Sequence, residues 1–170
     1  QTSASLDGKV TEVEILLVDN GSRDSTRTIA GAFPLATILD CPQRGAAHAR
    51  NHGARLSQGD ILVFLDADTL LPEGVLDLVL SICRAGTVTA GIAPYCARDG
   101  GIRASIWWWF WNHVRRLPLP HAKAMPAFMF CTRAVFDELG PFDERVAIGE
   151  EWPILARLYA RNSAALAYLW

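Results

Sequence analysis

The stretch ILVFLDADTLLP at residues 61–72 joins five apolar residues to two carboxylates and then a proline. An unbroken apolar run of this length is typical of a strand that is buried on both faces of a sheet. Asp66 and Asp68 follow the run directly, so they lie at its carboxyl end. Two carboxylates this close repel each other unless a cation or buried hydrogen-bond donors compensate for their charge. Such oxygen ligands suit Mg²⁺ or Mn²⁺, and the sequence therefore predicts a metal-diphosphate site here.

Strands and helices alternate on both sides of this stretch. Other short apolar runs predict strands at residues 13–18, 35–39, 87–93, 128–131 and 164–169. Apolar residues at helical spacing, with capping residues and breakers, predict helices at residues 26–33, 45–57, 72–84, 103–116, 133–139 and 150–161. Because the strands are continuously apolar, the pattern indicates an α/β fold with a mostly parallel sheet sandwiched by helices.

Composition excludes several classes of protein. The chain has 170 residues and a net charge of −2, which fits one globular domain and gives no sign of a nucleic-acid partner. Its four cysteines form no C-x-x-C pair, which predicts reduced thiols and a cytoplasmic location. No apolar run approaches the length of about 18 residues that a membrane-spanning helix needs.

Four motifs occur in series along the chain. They are VDNGSRDST at residues 18–26, ARNHG at residues 49–53, the GDILVFLDAD stretch at residues 59–68, and FDE at residues 142–144 followed by GEEW at residues 149–152. Together they resemble the motifs of family 2 glycosyltransferases. The resemblance implies a GT-A fold and the transfer of a sugar from a nucleoside-diphosphate donor to an acceptor hydroxyl.

The resemblance also implies roles on the donor side. Asp19 matches the acid that contacts the nucleobase, and Arg50 lies near the donor, at its base or its diphosphate. Asp66 and Asp68 match the D-x-D motif, with Asp66 at the ribose or the metal and Asp68 at the metal. The implied cofactor is Mg²⁺ or Mn²⁺, which neutralises the charge on the departing diphosphate.

On the acceptor side the chain departs from the family pattern. The family usually has Glu-Asp, with the Asp as catalytic base in inverting members, and this chain has Glu150-Glu151. Glu151 occupies the position of the base. A plain acidic first helical turn is the structural alternative for this pair.

The resemblance predicts a single GT-A-like domain over residues 1–170, with a nucleotide-binding part at about 12–95 and an acceptor-side part at about 96–170. The first strand of the family fold has no counterpart in residues 1–11, so the chain is expected to be a fragment at one or both ends.

The block Trp107-Trp108-Trp109-Phe110-Trp111 has too many consecutive aromatic residues for one helix face. Contact with a membrane interface or a lipid-linked acceptor is one interpretation, which would place the protein peripherally at the cytoplasmic face of a membrane. Packing against an absent segment or another subunit is the other. A lone loop histidine, His121, is a weak candidate for a further metal ligand.

Two rival functions fit parts of the sequence. A nucleotide-sugar-binding or interaction module without turnover is consistent with Glu151 in place of Asp. The residues around Asp66 also fit the first motif of haloacid-dehalogenase-like phosphatases, with Asp66 as nucleophile. A phosphatase of this class needs a downstream lysine and a later acidic pair after an apolar strand. The only lysines are Lys9, which lies upstream of the motif, and Lys123.

Overall fold

The computed structural model describes residues 12–117, 127–146 and 149–169, and it confirms the α/β class. In these ranges the strands are β1 Ile15–Asp19, β2 Ala36–Asp40, β3 Ile61–Leu65, β4 Ala90–Ile92, β5 Phe128–Thr132 and β6 Leu166–Tyr168. The helices are α1 Thr26–Ala30, α2 Ala46–Leu56, α3 Val75–Arg84, α4 Ile102–Val114, α5 Arg133–Leu139 and α6 Trp152–Arg161. Each predicted element is present, with ends that differ by a few residues.

The strands form two ladders. β1 and β2 pair in parallel, with Asp19 opposite Asp40 at the carboxyl ends. The second sheet has the order β3-β5-β4-β6, in which β4 and β6 are parallel and β5 is antiparallel to both β3 and β4. The sheet is therefore mixed. Burial on both faces gives a parallel and an antiparallel strand the same apolar composition, so the sequence did not reveal the direction of β5.

The core is built around β5. Phe128 and Phe130 point to one face and join a buried cluster with Val79 of α3. Met129 and Cys131 point to the other face and join a larger cluster beneath α5 and α6. Each large buried side chain contributes about 1.5–3 kcal/mol from the removal of its apolar surface from water. Helices therefore cover both faces of this sheet, which places β3 and its following acidic turn in a rigid frame.

Helix α2 lies against β1 at a very short distance. A Cβ atom on Gly53 would lie 3.1 Å from Cγ2 of Val18, so a larger residue at this position would require the Val18 side chain to shift. At the start of α2, the N–H of Gly45 donates to Oδ1 of Asn20 at 2.7 Å. The loop that follows β1 is thus joined to the first turn of α2.

None of the helices in the described ranges has the length and apolar character needed to cross a bilayer.

Candidate functional site

The acidic turn after β3 presents its two carboxylates differently. The N–H of Asp66 donates to the carbonyl oxygen of Ala127 at 3.1 Å, and the N–H of Thr69 donates to the carbonyl oxygen of Asp66 at 3.0 Å. These bonds fix the turn next to β5. The Asp66 side chain is partly buried, whereas Asp68 is exposed and its Oδ1 lies 3.5 Å from the Thr69 hydroxyl. Asp68 is therefore open to a ligand from solvent.

Arg50 connects three of the sequence motifs. Its Nη2 donates to Oδ1 of Asp66 at 2.6 Å, and its Nη1 donates to Oε1 of Glu150. Its Cζ lies 6.0 Å from the ring centroid of Phe142. Glu150 is buried, and a buried carboxylate requires such a cation. The planar guanidinium serves both carboxylates at once, which a lysine ammonium does less well.

Asn51 is a site residue to which the sequence analysis assigned no role. Its side chain is almost fully buried, and it brackets the backbone of Phe142: the N–H of Phe142 donates to Oδ1 at 2.9 Å and Nδ2 donates to the carbonyl oxygen at 3.0 Å. Nδ2 also lies 2.9 Å from Oε1 of Glu144. Asn51 thereby holds the FDE segment against α2, close to Arg50. The sequence signal that could have identified Asn51 is a polar residue at a position of α2 that faces the interior.

Glu151 is the residue that immediately precedes α6. It is buried, and its carbonyl oxygen accepts from the N–H of Leu155 at 3.3 Å. A carboxylate at this position interacts favourably with the helix dipole. The structure thus places Glu150 and Glu151 together at the start of α6, with Glu150 held by Arg50.

Asp19 lies at the end of β1, in the other sheet. The N–H of Ser22 donates to its Oδ1 at 2.9 Å, and Nη1 of Arg27 lies 3.5 Å from its Oδ2. The hydrogen bonds from Ser22 and the charge of Arg27 lower the pKa of Asp19. Asp19 is therefore an ionised acceptor. Within the described part of the chain, the reported hydrogen bonds and ion pairs do not join Asp19 to Asp66 or Asp68.

Tyr95, which follows β4, is a second residue with no sequence-assigned role. Asn112 of α4 donates from Nδ2 to its carbonyl oxygen at 2.9 Å, and Arg115 donates to its hydroxyl and lies 4.6 Å from its ring centroid. Burial raises the pKa of Tyr95; Arg115 opposes this shift, and the negative charges of Asp66 and Glu151 add to it. Tyr95 is therefore held in place by one residue of α4 and by the arginine that follows this helix.

The acidic turn fits a divalent ion that is shared with a diphosphate. No group of three or more His, Cys, Asp or Glu side chains that could hold a metal is found among the residues the structure describes. Mg²⁺ at nucleotide sites takes about one or two protein carboxylates and completes its shell with phosphate oxygens and water. The exposed Asp68 and its neighbour Asp66 suit this mode. The weak candidate His121 lies outside the described residues.

A sequence model of the family described as "Glycosyl transferase family 2" matches residues 3–140. The chain belongs to this family. It is 31% identical over 144 residues to the glycosyltransferase AglE of Haloferax volcanii, a match that covers 80% of this chain and 47% of AglE. A match to the uncharacterised glycosyltransferase YfnE of Bacillus subtilis is 40% identical over 78 residues and covers 44% of this chain and 19% of YfnE. The chain thus spans less than half the length of these relatives.

Solved structures of this fold superpose on the chain. The mannosyltransferase PcManGT of Pyrobaculum calidifontis, in complex with GDP-Man and Mn²⁺, is 27% identical with a TM-score of 0.59 over 82% of this chain and 41% of its own. The mannosyl-3-phosphoglycerate synthase of Rubrobacter xylanophilus is 20% identical with a TM-score of 0.66 over 92% of this chain and 53% of its own. The second similarity concerns the fold alone, which is the GT-A fold that the motifs predicted.

Proposed function

We propose that this chain is the donor-binding and acceptor-side core of a metal-dependent glycosyltransferase. It transfers a sugar from a nucleoside-diphosphate donor to an acceptor hydroxyl, with inversion at the anomeric carbon. The observation that carries the proposal is the position of Arg50. One guanidinium joins the D-x-D motif through Asp66 to the acidic pair through Glu150, so the donor motif and the acceptor motif share one site.

The donor half of the site extends over about residues 12–95. Asp19 accepts hydrogen bonds from the nucleobase, in keeping with its lowered pKa. Asp68 and Asp66 are the residues that would hold Mg²⁺ or Mn²⁺, and the ion would supply positive charge to offset the charge of the leaving nucleoside diphosphate. Support comes from PcManGT, whose structure contains GDP-Man and Mn²⁺.

The acceptor half extends over about residues 96–170, and we assign the base to Glu151. Oε1 of Glu150 already accepts from Arg50, so Glu150 positions the guanidinium. Glu151 takes the proton of the acceptor hydroxyl as the oxygen attacks the anomeric carbon. The bond between that carbon and the diphosphate oxygen breaks, and the electron pair leaves on the nucleoside diphosphate.

Donor binding tests the metal assignment. The chain is titrated with GDP-mannose, UDP-glucose and dTDP-glucose by isothermal calorimetry, with and without Mn²⁺. One donor is expected to bind only with Mn²⁺, and Asp68→Asn is expected to weaken that binding by about 10- to 100-fold, because a metal ligand is lost. The matched control is Asp77→Asn, which alters an exposed carboxylate on α3 and should bind as the wild type does. Undiminished, metal-dependent binding by Asp68→Asn would exclude Asp68 as a ligand.

A nucleotide-sugar-binding module without turnover is the second candidate, because Glu stands at position 151 where the family usually has Asp. It predicts the same metal-dependent binding but neither transfer nor donor hydrolysis. Release of free nucleoside diphosphate from the bound donor would show that the chain is an enzyme and would exclude the non-catalytic module.

A further inference from the structure

Helix α4 is held to the protein by Asn112 and by Trp108, whose ring lies 4.6 Å from that of Tyr95, and it turns several large apolar side chains toward solvent. Asn112 hydrogen-bonds the backbone of Tyr95 through both its side-chain atoms, and Arg115, just beyond the helix, is 4% exposed beside the same tyrosine. A surface helix normally keeps its large apolar side chains against the core. The outward apolar side chains of α4 are therefore available to another surface.

The outward side chains form one continuous stripe. Ile102, Ile106, Trp109 and Phe110, here called the α4 stripe, are 81%, 61%, 62% and 51% exposed. Their spacing of four, seven and eight residues from Ile102 places them on one side of a helix. Trp107 borders the stripe and is 56% exposed. Contiguous large apolar side chains on a surface mark an interaction site, whereas scattered ones do not.

The charges around the stripe favour an anionic surface. From residue 100 to residue 136 the sequence contains no Asp or Glu, although the whole chain has a net charge of −2. Arg103 and Arg116, at the two ends of α4, are exposed. Arg103 lies seven residues before Phe110 and so shares its side of the helix. Basic residues beside an apolar helix face are typical of helices that lie on anionic membranes.

The composition of the stripe favours a bilayer in particular. Tryptophan concentrates at the membrane–water interface, where its ring meets acyl chains and its N–H meets headgroups. Helix α4 has 13 residues, which is too short to span a bilayer of about 30 Å but sufficient to lie along its surface.

We propose that the α4 stripe docks onto the surface of an anionic phospholipid bilayer. The other side of α4 holds the backbone of Tyr95 through Asn112, so the docked helix lies next to the segment that follows β4. The docking is independent of sugar transfer, so it is measured without donor or metal.

Vesicle sedimentation tests the proposal with the 170-residue chain. The chain should pellet with phosphatidylcholine vesicles that contain about 30 mol% phosphatidylglycerol, and pellet less with phosphatidylcholine alone or at high salt. Replacing both Ile106 and Trp109 with serine should weaken binding by about tenfold or more, since two apolar side chains no longer enter the interface. Arg103→Glu should weaken binding to the anionic vesicles by about fivefold or more.

The matched control is Phe33→Ser, which removes an aromatic side chain that is 61% exposed but lies outside α4. It should bind vesicles as the wild type does. Circular dichroism and thermal unfolding should be unchanged in all variants, because each altered side chain is exposed. Lipids brominated near the headgroup should quench the tryptophan fluorescence of the wild type more than that of the double serine variant.

Three results would overturn the proposal. The first is a wild-type chain that fails to pellet with the anionic vesicles, and the second is a double serine variant that pellets as well as the wild type. The third is a wild-type dimer in analytical ultracentrifugation that the double variant loses, with no vesicle binding by either; the stripe would then be an interface between two copies of the chain.

Discussion

The candidate site buries charged side chains, whereas the outward side of α4 exposes apolar ones. Around Arg50 the chain buries charge: Glu150 is 4% exposed and is held by the guanidinium. On α4 it exposes tryptophan and phenylalanine. A buried charge costs stability unless an ion pair compensates for it, and Arg50 supplies that pair for Glu150. An exposed apolar side chain is exposed in the unfolded chain as well, so it adds little to the stability of the fold. The contrast is therefore between side chains that hold the fold together and side chains that are accessible to a partner.

The largest expected effect is the loss of sugar transfer when an acidic residue of the candidate site is replaced. Glu151→Gln should reduce sugar transfer by about 10²–10⁴-fold, because the acceptor hydroxyl loses its base. Donor binding should be retained, which calorimetry checks alongside a transfer assay. Glu138→Gln, at an exposed glutamate of α5 paired with Arg161, is the control.

Transfer that survives in Glu151→Gln would move the base to Glu150 or another group. The configuration of the product, read by proton NMR at the anomeric carbon, tests inversion separately. A product with the anomeric configuration of the donor would contradict the inverting mechanism.

Substitution of one phenylalanine in each region compares how much the two regions contribute to the stability of the fold. Phe142 is 1% exposed and packs edge-on against Phe64 with ring centroids 4.8 Å apart, so Phe142→Ala should destabilise the fold by about 3–5 kcal/mol. Phe110 on α4 is 51% exposed, and Phe110→Ala should change stability by only about 0.5 kcal/mol. Urea unfolding followed by circular dichroism gives both values. Equal losses would mean that the α4 stripe is part of the folded core.

Arg50 tests whether the buried charges depend on one another. Arg50→Gln should destabilise the fold by about 1–3 kcal/mol, because Glu150 and Asp66 lose a charged hydrogen-bond donor. Arg50→Lys keeps the charge but not the two-sided geometry, and should fall between the wild type and Arg50→Gln. A second substitution, Glu150→Gln, should recover part of the loss in Arg50→Gln. If the two single losses simply add, Arg50 and Glu150 do not interact.

The smallest expected effect concerns an exposed ion pair next to the site. Hydrogen bonds from the Arg145 side chain and backbone lower the pKa of Asp143 to about 2 from its usual 3.8. Because the pKa is lower in the folded state, this pair stabilises the fold above about pH 4 and loses its effect as the pH falls toward 2. Arg145→Ala should raise the pKa of Asp143 toward its usual value, as measured by carboxyl carbon NMR. An unchanged pKa would show that Arg145 does not hold the carboxylate in solution.

The sequence located the acidic turn well because the evidence for it is local. An apolar run must end where its first charges appear, and Asp66 follows Leu65 at the end of β3 in the structure as predicted. The same argument placed Asp19 at the end of β1. The motif resemblance then supplied the roles of these residues, which remain proposals. Asn51 and Tyr95 were assigned no role from the sequence, because the residues that they contact lie elsewhere in the chain.

By itself, the sequence determined the order of strands and helices and the acidic residues at the strand ends, since both depend on neighbouring residues in the chain. Only the tertiary structure decided that Arg50 reaches Glu150, 100 residues away, because that contact depends on how α2 and α6 pack. It also decided which side of α4 faces outward. A block with aromatic residues on every side of a helix does not specify its buried side, and the polar contacts of Asn112 and Arg115 with Tyr95 make that choice.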